Sequence, residues 1–312
     1  YLTAMDSAKC DKQGLNRIKP ELAKIEAVKT MDDLIKLQAE FAKIGIGGFL
    51  SAGVEVDLKN SNRYLMYLGQ TGYGLPDRDY YFLPQFEKNR EAYHKHVKNM
   101  FMILGNNDGD ATKKEALIYE MEKSLAEKAM NRASQRDIQK LYNPYSKKQL
   151  QDTVKKVNWD VFFAGMGMKT PDTLVIEHLS FYKNLDNVIS KYSINDWKEF
   201  MKWRLLRRAS NYLDSKTEME SFEFYGKALS GAKEMKPRWK RAQNEINRNI
   251  GEILGKLYVE SYFNQEAKDK VSKMVENLIV AYRERIASRT WMSEVTKKEA
   301  NRKLDKLIKK FG

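Results

Sequence analysis

The chain has 312 residues, 42% hydrophobic and 31% charged, a balance that suits one large or two ordinary globular domains and excludes a disordered or membrane-spanning chain. No run approaches the roughly 20 apolar residues that a membrane helix needs, and the single cysteine, Cys10, excludes an intrachain disulfide. The formal charge is +14, with nineteen Lys/Arg against ten Asp/Glu in residues 235–312; the two signs interleave there and no aromatic-basic platform is evident, so a solvated helical surface or one facing an acidic partner domain is favoured over a nucleic-acid surface.

In chain order the first strong pattern is "ELAKIEAVKTMDDLIKLQAEFAKIG", two helices parted near Lys29 and Thr30. Thr30 is the expected N-cap, with Asp33 completing a capping box. Leu34, Ile35, Leu37 and Phe41 give the second helix its apolar face, and Gly45, Gly47 and Gly48 end it. The period then changes. "AGVEVDL" alternates and "RYLMYLGQ" suits a strand, which predicts a β-hairpin with strands near 53–58 and 63–69 and its turn at Asn60-Ser61-Asn62. The stretch "GLPDRDYYF", Gly74 to Phe82, follows as a chain reversal into a long amphipathic helix from Pro84. Further on, "NPYSKKQLQDTV" marks a turn and a helix capped by Ser146, "NWDVFFAGMG" a short apolar helix and "DTLVIEH" one short strand. From Asn187 the pattern is nearly all helix, with segments near 193–214, 216–230, 235–263, 265–288 and 293–310.

A complete active site is not legible. A helical zinc site of the H-E-x-x-H type needs two imidazoles one turn apart. His94 and His96 are two residues apart and point about 200° from one another on a helix, while His178 stands alone, so all three read as surface or packing residues. There is no G-x-S-x-G elbow and no phosphate-binding glycine loop with a lysine. Asp77-Arg78-Asp79 could form a charge node, since an arginine fork can take two carboxylates. Tyr80 and Tyr81 add apolar bulk with polar tips. The residues themselves leave two readings open, a substrate-contact loop or a structural clasp between hairpin and helix, with the clasp preferred.

The residues Gly74, Leu75, Pro76, Arg78, Asp79, Tyr80 and Tyr81 resemble the G-L-P-x-R-D-Y-Y signature of the neprilysin family of zinc metallopeptidases, which includes bacterial PepO-like endopeptidases. The resemblance extends to "WKRAQNEINRNIGEILGKLYVESYF" from Trp239, to "TWMSEVTKKEANRKLDKLIKKFG" through Trp291, and to "KWRLLRRASNYL" at Trp203-Arg204. Order and spacing hold over essentially the whole chain. Where animal members have cysteines near the start and in the Trp239 segment, this chain has Ala4 and Ala242, which suits a bacterial, disulfide-free member.

The resemblance implies a mainly α fold. Residues 1–234 would form a helical lid domain with a small β-hairpin near 53–69, and residues 235–312 long connecting helices that pack toward a thermolysin-like catalytic domain absent from this chain. In the family, zinc polarises the scissile carbonyl and activates water at residues further along, so zinc is expected in the intact enzyme. No catalytic or metal-binding residue carries over to this chain, which alone should bind no zinc and cleave no peptide. Both ends look cut, so a fragment of a longer protein is expected. The expected partners are its own C-terminal catalytic domain and small to medium peptides, with no nucleic acid and no membrane-spanning segment. The expected compartment is a bacterial cell envelope, the periplasm or the outside, with the cytoplasm as the alternative. The competing function is a stand-alone basic helical module for acidic partners or nucleic acid. If the family reading is right, residues 235–312 should expose large apolar groups.

Overall fold

Local sequence chemistry explains most of the helix ends. In the structure, a computed structural model that describes residues 1–311, Thr30 caps the helix Met31–Ala42 and shares a full capping box with Asp33. That helix buries Leu34, Ile35, Leu37 and Phe41, the face its period predicts. Gly45 then turns the chain at φ +77°, a conformation open to glycine at little cost. Gln38, also buried, holds the returning loop: its Oε1 accepts from the backbone N–H of Phe49 at 2.7 Å and of Leu50 at 3.3 Å.

The chain divides into two compact units, Asp6–Met235 and a second made of Tyr1–Met5 with the residues from Lys236 onward. The first contains a four-stranded sheet, β1 (Ala52–Asp57), β2 (Asn60–Leu68), β3 (Pro144–Ser146) and β4 (Thr173–Ile176), in the order β1-β2-β4-β3. β1 and β2 are the expected hairpin, antiparallel with Val56 opposite Tyr64. Its turn lies at Leu58-Lys59 rather than at 60–62, whose residues open β2. The cause is Asp57: its carboxylate accepts from the Lys59 N–H at 2.9 Å and closes the turn early. The lone strand read at "DTLVIEH" is β4, and it runs parallel to β2 with Leu174 opposite Met66. β3 was hidden inside an expected turn; it is three residues long, begins with proline and sits at the edge, where proline is tolerated.

Helices cover the rest of this unit. Glu87–Ile103 and Asp108–Glu127 form a hairpin of helices around Gly105, and Ile194–Ala209 is capped by Ser193 with Asp196. The core takes in Tyr93, Trp159, Tyr182, Trp197 and Trp203, all essentially without solvent contact. The single helix expected over 216–230 is two pieces, Ser215–Ser221 followed by a π-helical stretch Phe222–Ala228. In the latter, Leu229 N–H reaches back five residues to Phe224 C=O at 2.9 Å.

The second unit consists of three long helices, Arg238–Tyr262, Gln265–Ala287 and Glu294–Asp305. The first is interrupted at Ile250 (φ −137°, ψ 31°). Asn264 and Ser293 cap the other two. Arg283 bridges them through Asn301 and Asp305 at 3.2 and 2.5 Å. Arg238 Nε donates to Ala4 C=O at 2.7 Å, which fastens the short N-terminal helix Leu2–Met5 to this unit. Neither Gln265–Ala287 nor Glu294–Asp305 buries a single residue.

Candidate functional site

The three histidines face different surroundings. His94 Nδ1 meets Glu115, and His96 Nδ1 meets the Glu220 carboxylate at 3.1 Å. His178 Nδ1 accepts from the Gln70 N–H at 3.0 Å, which leaves its proton on Nε2. Burial holds His178 down at about 4 and pulls His96 below its ordinary value against the pull of Glu220. Among the described residues no group of three or more His, Cys, Asp or Glu could hold a metal ion. The residues of this chain therefore do not fit a zinc site. An open groove of about 410 Å³ is lined by Met102, Ile103, Met219, Lys216, Glu223 and the His96 partner Glu220; its lining includes no residue of the 74–82 segment.

The segment Gly74–Phe82 is built around a buried carboxylate. Asp77 opens the short helix Asp79–Phe82 by accepting from the Asp79 N–H at 2.9 Å, and extended Leu83 ahead of Pro84 ends it. That turn drives Tyr81 inward. Its hydroxyl accepts from the N–H groups of Gly74 (3.1 Å) and Leu75 (3.2 Å) and donates to Glu122 Oε2 at 2.7 Å. Tyr93 donates to the same oxygen at 2.6 Å, and Trp203 Nε1 donates to Glu122 Oε1 at 2.9 Å. Glu122 is fully enclosed, and these three donors stand in for water at its carboxylate. Burial first, and the Glu122 charge next, push the Tyr81 and Tyr93 phenols well above their ordinary value. Gly74 is required by close approach: an added Cβ would stand 1.9 Å from the Tyr93 hydroxyl.

The charged residues of the segment play smaller parts than the sequence suggested. Arg78 takes one carboxylate, Asp79 at 3.2 Å, and lies over the Phe82 ring. Asp77 turns instead to Arg132 at 3.3 Å. Tyr80 stacks on Phe86 at 3.9 Å between ring centres, and Arg90 fixes the backbone by donating to Tyr80 C=O and Leu83 C=O at 2.9 and 2.8 Å. Pro76 is exposed. The arrangement fixes polar backbone groups of the segment in place. Trp239 and Trp291 belong to the second unit and are exposed there, Trp291 at 73%.

Glu122 escaped the sequence reading, which held Trp203 only as part of the family resemblance. Glu122 lies in "LIYEMEKSLAE" among carboxylates that i,i+4 pairing explains, and only its position on the apolar stripe with Ile118, Met121 and Leu125 set it apart.

Comparison with known proteins assigns this architecture. Residues 1–312 match the N-terminal model of peptidase family M13. Endothelin-converting enzyme 1 of Cavia porcellus is 28% identical over 285 residues, 88% of this chain and 37% of that protein. Membrane metallo-endopeptidase-like 1 of Mus musculus is 26% identical over 82% of this chain and 35% of its own length. Among solved structures, the Mycobacterium tuberculosis zinc metalloprotease Zmp1 in complex with an inhibitor superposes with a TM-score of 0.90 at 30% identity, over 97% of this chain and 46% of that one. PepO from Lactobacillus rhamnosis shares the fold at a TM-score of 0.80 and 20% identity, over 97% of this chain and 48% of that one. The chain thus spans less than half the length of each of these relatives. No helix among the described residues is long and apolar enough to cross a membrane. The small four-stranded sheet and the predominance of helix resemble the N-terminal part of these relatives, and the chain belongs to peptidase family M13.

Proposed function

We propose that this chain is the non-catalytic part of a zinc metalloendopeptidase. Residues 6–235 act as a lid that encloses a cavity and limits the size of peptides reaching it, and residues 236–312 are helices that pack on the catalytic part. Zinc and its ligands belong to that other part, and so does the chemistry of peptide cleavage. The lid supplies shape, exclusion of water and restricted entry. The names of the relatives, a converting enzyme, a metallo-endopeptidase and zinc metalloproteases, support the substrate class and the metal.

One observation carries the reading. Among the described residues, fourteen of the twenty-six exposed large apolar residues fall after Met235, in a quarter of the chain. They follow the helical period: Met274, Leu278 and Tyr282 form one exposed stripe, and Ile250, Ile253 and Leu257 another. Such stripes need cover in a stable protein. The cover we propose is the catalytic part. The runner-up, a stand-alone basic module for acidic partners or nucleic acid, explains the charge but not the stripes. Many basic side chains there are already met by carboxylates one turn away, as in Lys270–Glu266 at 2.7 Å and Arg302–Glu299 at 2.6 Å.

The compartment proposed with it is the bacterial envelope or the outside, in keeping with the bacterial sources of Zmp1 and PepO; cell fractionation distinguishes this from the cytoplasm. The function is tested by complementation. The coding sequence after Gly312 should supply an H-E-x-x-H segment, and that segment, expressed separately and added, should yield chelator-sensitive cleavage of peptides but not of folded proteins. A reading frame that stops at Gly312, together with salt-dependent retention on DNA, would favour the stand-alone module.

A further inference from the structure

A buried positive charge in the first unit has no counter-charge in contact. Arg204 is only 9% exposed, yet its guanidinium donates to two carbonyls, Gly47 C=O from Nε at 2.8 Å and Tyr73 C=O from Nη1 at 3.1 Å. Arg207, one turn on along the same helix, sends Nη1 to the same Tyr73 oxygen at 3.5 Å and Nε to the Tyr225 hydroxyl at 2.7 Å. The two forks therefore converge on one backbone oxygen. Among the described residues no carboxylate lies within 4.0 Å of either. Among the described residues Nη2 of Arg204 meets no acceptor, and it lies beside Gly47, where an added Cβ would stand 3.3 Å away.

The charged groups that act on the pair are Glu122 and, through Tyr73, Asp77. Glu122 is saturated by Tyr81, Tyr93 and Trp203, and Asp77 is paired with Arg132. Two guanidiniums against one remote carboxylate leave a surplus of one positive charge. Burial, and after it the Arg207 charge, pull the Arg204 guanidinium below its ordinary value, whereas Arg207 moves above its own, against its burial, through Tyr225, Tyr93 and Glu122. A buried charge is normally paired, and leaving it unpaired is costly. Carbonyl dipoles offset part of that cost without neutralising the charge. Access exists: Arg207, Tyr73 and Tyr225 are half-buried rather than enclosed. Tyr225 lies on the π-helical stretch Phe222–Ala228, a local geometry found often at functional sites.

We propose that Arg204 and Arg207, with the Tyr225 hydroxyl beside them, form a binding site for a single carboxylate group. Planar forks with free N–H donors match a carboxylate in shape and hydrogen-bond direction, and one negative charge balances the surplus. A free small acid and the terminal carboxylate of a peptide share this chemistry. The site does not depend on the lid reading, because it is formed within residues 6–235 and can be measured without any peptidase activity.

The test uses the 312-residue chain with isotope-labelled arginine and sodium acetate as the probe. The Nε–H resonances of Arg204 and Arg207 should shift saturably with acetate and stay in place with chloride at equal ionic strength. Arg207→Gln should weaken acetate binding tenfold or more while the chain stays folded by circular dichroism, and Arg207→Lys should recover only part of it because the fork is gone. Arg204→Gln is a poorer variant, since it also unpins Gly47 and Tyr73; the wild-type resonances carry the test without it. Two further arms separate the sources. A dipeptide with a free C-terminus that competes with acetate, while its C-terminal amide does not, assigns the site to peptide termini; if neither competes, the ligand is a small acid. No shift with acetate, an equal shift with chloride, an unchanged affinity in Arg207→Gln, or equal competition by the amide would overturn the proposal.

Discussion

Residues 6–235 and residues 236–312 are built from equally well-formed helices and end with opposite surfaces. Three of the five tryptophans, Trp159, Trp197 and Trp203, lie in the first region and are sealed in its core; the other two, Trp239 and Trp291, lie in the second and are exposed. The caps are of the same kind in both, Ser193 with Asp196 in one and Ser293 with Thr296 in the other. Capping and period therefore decide that a helix forms and which side is apolar. They do not decide what covers that side. In the first region another helix or the sheet covers it; in the second, the helices Gln265–Ala287 and Glu294–Asp305 leave theirs uncovered among the described residues.

If the first region is held by its own core, the largest loss should come from the Glu122 node. Glu122→Ala should strand the Tyr81, Tyr93 and Trp203 donors and lower the stability of the chain by roughly 3 kcal/mol or more in urea denaturation. Gly74→Ala forces a Cβ into the Tyr93 hydroxyl and should cost about 1–3 kcal/mol by the same measurement. Acid should act on this region through His178. Its folded value of about 4 lies below the unfolded 6.5, so the neutral ring's contribution is complete above pH 6.5 and is lost as pH falls toward 4. The loss should be on the order of 1 kcal/mol by pH 5, and His178→Gln should flatten that slope in melting curves. Arg78→Ala should cost less than about 1 kcal/mol, because its one ion pair is partly solvated. A loss as large as that of Glu122→Ala would restore the central role the sequence gives to Arg78. The smallest effect should come from the second region: Ile253→Ser with Leu257→Ser should stay within about 0.5 kcal/mol of the parent chain. The same pair should abolish complementation by the catalytic part, which would sharpen the contrast between the regions.

Much of this was legible in the residues, and the losses have physical causes. Thr30, Asp33 and Ser146 announce their helices because caps are local chemistry. The hairpin was visible as alternation, but its turn was placed two residues too late because Asp57 closes it with a side-chain bond that composition does not reveal. The parallel partnership of β2 and β4 joins residues about a hundred positions apart, and no local pattern encodes it. In "GLPDRDYYF" the charges drew notice, while the anchor proved to be Tyr81 on a glutamate forty-one residues away. A buried Glu122 and a buried Arg204 look like any surface Glu or Arg until the fold encloses them. The exposed apolar groups on residues 236–312 were expected from the family resemblance, and the helical stripes that carry them are there.

The central claim is that the first region is complete in itself and the second is half of an interface. Amide hydrogen exchange measures both at once, on the 312-residue chain alone and with the catalytic part added. The account predicts core protection in residues 6–235 under both conditions. It predicts rapid exchange across Gln265–Ala287 and Glu294–Asp305 in the chain alone, slowed by orders of magnitude once the catalytic part is present. Protection of those two helices as strong as that of the core in the isolated chain, unchanged on adding the catalytic part, would contradict it.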